Sequence, residues 1–188
     1  MIPLLISGPV VEPLSLAEAK SWLRVDGVDE DQLIQSLITS ARLAVEAATN
    51  RLLITQQWRL LLDSWPFDLV LPLPLAPVRQ VVRVRIADAL GVFADAPATQ
   101  YRLDGNLDRT RLVLSAPLPN PGPTISGISI DVTVGYGDAS AVPEPFRLAM
   151  RQLIALWFAN RGDGAAESGR MPASVQALLA PYRIRRLA

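Results

Sequence analysis

The chain has 188 residues, half of them hydrophobic and 19% charged, with a mean hydropathy of +0.26; this allows one domain, or a small domain carrying a large insert, and excludes disorder of the low-hydrophobicity, high-charge kind. Eighteen Lys plus Arg balance eighteen Asp plus Glu, so no global basic field steers the chain onto DNA or an anionic membrane. The absence of both cysteine and histidine excludes disulfides, thiolate and imidazole metal ligation, and Cys-His or Ser-His-Asp catalysis.

Charge is unevenly placed. Residues 1–50 hold three basic against seven acidic side chains, a net −4, residues 51–142 balance, and residues 143–188 hold seven arginines against three acidic residues, a net +4. Head-to-tail stacking of identical subunits could use such an offset. The longest apolar stretch, LVLPLPLAPV at 69–78, is far short of the roughly 20 residues of a membrane-spanning helix and is broken by prolines. The N-terminus MIPLLISGPVVEP lacks a positively charged start, which argues against a secretory signal.

In chain order, Ser15 followed by Glu18 has capping-box form and predicts a short helix through LAEAKSWLRV, stopped at Asp26-Gly27. A second helix is predicted from the Asp29-Glu30-Asp31 cluster to Asn50, because Leu33, Ile34, Leu37, Ile38, Ala41, Val45 and Ala48 form one apolar stripe. From Leu52 the composition turns β-branched and aromatic, and a strand follows. Further strands are predicted at 78–87, 101–104, 111–114 and 128–134, separated by turn material at 88–99, at Asp104-Gly105-Asn106 and in the proline-rich stretch LPNPGPTISG. After Pro143 a helix returns, with a wide apolar face of Phe146, Ala149, Met150, Leu153, Ile154, Trp157 and Phe158. The glycine-bearing segment 161–171 reads as a loop, 173–179 as a last short helix, and Tyr182 to Arg186 as a basic tail. The fold class expected is α+β: helical N- and C-terminal segments (1–51 and 143–188) packed together, with a β-rich insert (52–142) in the middle.

Candidate chemistry is sparse. The carboxylate pairs Asp29 with Asp31, Asp104 with Asp108 and Asp131 with Asp138 could do acid and base work if close and buried, but read more simply as a helix start and turns. Gly135-Tyr136-Gly137 lacks the Gly-Lys-Ser/Thr or GxGxxG context of a phosphate cradle and reads as a strand end turning toward a helix. Trp22, Trp58, Trp65 and Trp157 could stack on bases or sugars, yet each has apolar neighbours, which predicts core. Arg147, Arg151 and Arg161 share a narrow helical stripe that could face phosphates or a neighbouring subunit. In the tail, Tyr182 and Ile184 alternate with Arg183, Arg185 and Arg186, a composition suited to docking on a partner.

Several segments in order, PLSLAEAKSWLRVD, EAATNRLLITQQW, VGYGDASAVPEPFRLAMRQLIALWFANR and PASVQALLAPYRIRR, together resemble the head-tail connector (adaptor, head-completion) family of long-tailed phages, prophages and gene transfer agents. Residues 87–127 carry little of the resemblance. It implies a structural protein and not an enzyme, without a cofactor, forming a ring of about twelve copies in the neck of a phage-like particle assembled in the bacterial cytoplasm. The implied partners are the portal protein, a tail-side connector, stopper or tail terminator protein, further copies of the chain, and DNA passing without sequence recognition; no membrane is involved. In that family C-terminal segments contact the portal, which by position points here to residues 173–186. An alternative reading is a DNA-binding packaging or tail accessory protein using the Arg147, Arg151 and Arg161 stripe.

Overall fold

The computed structural model describes residues 1–106, 109–122, 125–160 and 171–184. Among these, four helices and eight strands form, the strands in two sheets. The expected arrangement, helical terminal segments packed together around a central β insert, is not what forms. Strands are spread across the chain, starting with β1 (Ile2–Ser7). This apolar segment has no helical periodicity, and its backbone groups find an antiparallel partner some fifty residues later in β2 (Gln56–Leu62). No local signal announces such a pairing.

The chain divides into two compact units. The first comprises residues 1–9 and 55–136. Besides β1 and β2 it contains β3 (Val70–Pro72), β4 (Val78–Ala87), β5 (Phe93–Asp95), β6 (Tyr101–Gly105), β7 (Thr110–Leu114) and β8 (Ile128–Val134). One antiparallel sheet runs in the order β1-β2-β8-β4-β5, the other β3-β7-β6. The predicted strands at 78–87, 101–104, 111–114 and 128–134 are all present. β5 forms inside the segment read as turn material, because Asp88 Oδ1 accepts from the Leu90 and Val92 amides and folds 88–92 into a tight hairpin connection.

β8 is the central strand and is buried along almost its whole length. Ile128, Ile130, Val132 and Val134 pack with Leu60, Leu62 and Val84 on one face. On the other face Asp131 pairs with Arg59 on β2 (2.7 Å) and Arg83 on β4 (2.8 Å). Burial pushes its carboxyl up, but the two guanidinium hydrogen bonds outweigh that and hold it below the ordinary carboxylate range. Thus Asp131, one of the carboxylates considered for chemistry, serves as a cross-strand clamp.

The second unit comprises residues 10–54 and 137–188, with α1 (Leu16–Leu23), α2 (Asp31–Thr49), α3 (Glu144–Ala159) and α4 (Ala173–Leu179). Its core collects Leu14, Ile34, Ile38, Val45, Phe146, Met150, Leu153, Ile154, Val175 and Leu179. The capping box before α1 is formed as predicted: the Ser15 hydroxyl accepts from the Glu18 amide and Glu18 accepts from the Ser15 amide (2.8 Å). α2 ends at Asn50 in the left-handed conformation (φ 56°), which asparagine tolerates better than most residues. Gly135 and Gly137 both take positive φ and turn the chain out of β8 toward α3, as read from the Gly135-Tyr136-Gly137 triplet.

A buried ion cluster fastens α2. Arg42, 6% exposed, donates to Glu12 (2.7 Å) and Glu46 (3.0 Å), and Glu46 also accepts from the Leu53 amide (2.9 Å). Burial pushes the Glu46 carboxyl up, against the pull of the Leu53 amide and Arg42. The segment before α1, the middle of α2 and the chain leaving it are thereby tied to one guanidinium.

Candidate functional site

The residues predicted to dock on a partner follow α4. A short 3-10 turn, Ala180–Tyr182, carries the chain to Arg183 in an extended conformation. The exit of α2 then grips it: Arg51 Nε donates to the Tyr182 carbonyl (2.6 Å), the Ile184 amide donates to the Thr49 carbonyl (3.1 Å), and Asn50 Nδ2 donates to the Ile184 carbonyl (3.3 Å). The Tyr182 ring lies 4.8 Å from that of Phe146, tilted by 58°, and Phe146 is fully buried in α3. Tyr182 and Ile184 are therefore half-buried against their own chain, while Arg183 stands exposed. Arg185 and Arg186 lie outside the described residues.

Sequence reasoning did not single out Thr49, Asn50 and Arg51 as the holders of this segment. Arg51 is 5% exposed. A lone arginine between two apolar runs is a legible oddity, but its carbonyl acceptor lies 131 residues away, beyond any local pattern.

The arginine stripe on α3 is engaged within the unit. Arg147 forms ion pairs with Glu18 and Glu144, Arg151 pairs with Glu144, and the Arg151 guanidinium sits 5.9 Å from the centre of the Trp22 ring. Arg161 lies outside the described residues. The acidic 1–50 and basic 143–188 stretches thus meet inside one unit through Arg147 and Glu18, so part of the charge offset is consumed internally. Glu18 is held below the ordinary carboxylate range first by the Ser15 amide, then by the Ser15 hydroxyl and by Arg147 and Arg151. Beside this pair an open cleft is lined by Ala17, Glu18, Ser21, Trp22, Arg24 and Arg151.

Of the other candidate carboxylates, Asp29 is exposed and three have structural partners. Asp31 accepts from Lys20 (2.5 Å), Asp104 is held by Arg111 (2.6 Å) and Arg102 (3.3 Å), and Asp138 accepts from the Ser140 hydroxyl (3.2 Å). Asp108 lies outside the described residues. The tryptophans are less buried than expected. Trp22 is exposed and the other three are half-buried, with Trp58 Nε1 donating to Gln56 Oε1 (3.1 Å) and Trp65 Nε1 to the Pro119 carbonyl (3.1 Å).

This arrangement of α1, α2 and the strand after them can be set against known proteins. The pattern of the phage gp6-like head-tail connector protein family matches residues 13–71. A chain in the neck of an empty gene transfer agent particle, computed with C6 symmetry, is 32% identical, with 100% of this chain and 98% of that chain covered at a TM-score of 0.85. The chain belongs to the phage head-tail connector family. It is a structural connector subunit. Two further similar chains come from the virion of a native gene transfer agent particle (32% identity, 100% and 98% covered, TM-score 0.82) and from the neck of a native particle computed with C12 symmetry (31% identity, 100% and 98% covered, TM-score 0.81). Among curated proteins, none matches. The family pattern thus covers the connector's first two helices, β2 and the start of β3, whereas the solved neck chains resemble it over its full length, including residues 87–127.

Proposed function

We propose that this connector is one subunit of a ring of about twelve copies in the neck of a phage-like particle, bound to the portal protein above and to a tail-side connector, stopper or terminator protein below. DNA passes through the ring without sequence recognition, and no bond is made or broken by the protein. The observation that carries this reading is the end-to-end likeness to neck chains, above 30% identity and over essentially all of both chains. A passage for DNA works best when it does not hold phosphates, and the pairing of Arg147 and Arg151 with Glu18 and Glu144 suits that requirement.

Portal attachment runs through the C-terminal segment. Tyr182 and Ile184 are its fixed base, tied to Phe146, Arg51 and Thr49, and Arg183, Arg185 and Arg186 supply orientation and charge-assisted hydrogen bonds to the partner. Removing residues 181–188 would also strip contacts from the unit's own core. The discriminating variant therefore ends after Ile184. It is expected to keep the melting temperature of the full chain and to lose co-purification with the portal protein; normal attachment and particle assembly would reject the reading.

A further inference from the structure

We infer that the two outer strands of the five-stranded sheet, β1 and β5, are the complementary halves of one subunit–subunit contact, β1 of one copy meeting the β5 edge of the next. The inference rests on the ring reading above and adds which surfaces close it.

β1 is exposed along its entire length. Ile2, Leu4, Leu5 and Ile6 are each 46 to 54% exposed, and among the described residues β1 has a partner strand only on its β2 side. It carries no charge, and a single proline and an irregularity in its register with β2 between Leu5 and Ser7 are the edge-protecting devices it shows; among the described residues no lysine and no covering element shields Ile2, Leu4 and Leu5. Exposed apolar strands of this kind mark a surface that is covered in the working assembly. At the other end of the same sheet, β5 is also exposed throughout and, among the described residues, is paired only with β4. Leu90, Val92 and Phe93, at 89, 62 and 41% exposed, make a second apolar patch there. Asp88 fixes this patch by accepting from the Leu90 and Val92 amides.

A closed ring of identical subunits needs a heterologous contact, two different patches on each copy, each complementary to the other. Two apolar strips on opposite edges of one sheet satisfy that requirement, and a contact of β1 with another β1 does not, because it would stop at a dimer. β5 is only three residues long, so the contact is carried mainly by side-chain burial, with Phe93 as its aromatic anchor.

The chain contains no cysteine, so introduced thiols are unique. Leu4→Cys, Phe93→Cys and the double variant are produced as the sole copy of this chain, and assembled necks are treated with a short bismaleimide. The double variant is expected to give a ladder of covalent multimers on a denaturing gel, and each single variant none. Dimers from Leu4→Cys alone, or no ladder from the double variant in necks whose mass shows many copies, would overturn the inference and leave the ring intact. A mass corresponding to one copy per neck would overturn the ring reading and this inference together. As a second arm, Leu4→Lys with Ile6→Lys is expected to leave the melting temperature unchanged and to abolish incorporation into necks; incorporation at the wild-type level rejects the contact.

Discussion

Asp131 shows how a buried charge holds a sheet. Its carboxylate joins β2 and β4 across the central strand through Arg59 and Arg83, which are themselves 31% and 46% exposed. Because water can rehydrate both arginines, Asp131→Asn is expected to cost about 1–2 kcal/mol at pH 7, less than a fully buried pair. The carboxyl is depressed in the folded state, so its stabilisation is present above the unfolded-state value and is lost as pH falls through the folded one. The stability gap between wild type and Asp131→Asn, measured by denaturant titration, should therefore close below about pH 4. At the C-terminal segment the ring of Tyr182, not its hydroxyl, meets Phe146. Tyr182→Phe is expected to leave the melting temperature nearly unchanged, while Tyr182→Ala should cost roughly 1–3 kcal/mol for lost apolar burial. The alternation of Tyr182 and Ile184 with arginines was visible in the sequence; that these two apolar residues face their own chain was not, since Thr49, Asn50 and Arg51 hold them from far away.

Elements with local signals were legible and those without were not. The Ser15 and Glu18 spacing announced α1, and the structure forms both reciprocal hydrogen bonds. Ser15→Ala is therefore expected to lower stability by about 1 kcal/mol, with Ser15→Asp retaining most of it, as read from chemical denaturation. α2, α3 and α4 followed from their apolar stripes and their stops, and β4 and β8 from alternation. β1 was missed because Ile2, Leu4, Leu5 and Ile6, interrupted by Pro3, fit neither a helix nor a half-buried strand, and their partner β2 is assigned only by tertiary pairing. The segment 88–99 reads as turn in any local scan; β5 exists because β4 offers it Arg85, Ile86 and Ala87 to pair with.

For the whole molecule, zero net charge and the internal pairing of Arg147 and Arg151 set an expectation about DNA. Duplex DNA should show no measurable retention by the purified connector at physiological salt, since binding would need several phosphate contacts from free cations. Salt-sensitive binding that triple alanine replacement of Arg147, Arg151 and Arg161 removes would favour the accessory-protein alternative. The charge offset between the two ends of the chain looked like a stacking device in one dimension. In three dimensions the acidic residues of 12–46 and the basic residues of 143–160 belong to one unit, where Arg147 pairs with Glu18 and consumes part of the offset.

Short-range chemistry was enough to establish the helices, their caps, most strands, the exclusion of cysteine and histidine chemistry, and a resemblance to head-tail connectors, because periodicity, capping and composition act over a few residues. Tertiary structure alone decided that the N-terminus is a strand, that Asp131 and Arg42 are clamps, that Tyr182 is anchored, and that two apolar edges stand open. Each depends on groups brought together across tens of residues, and the free energy that brings them together comes from burying a shared core, which no window of sequence contains.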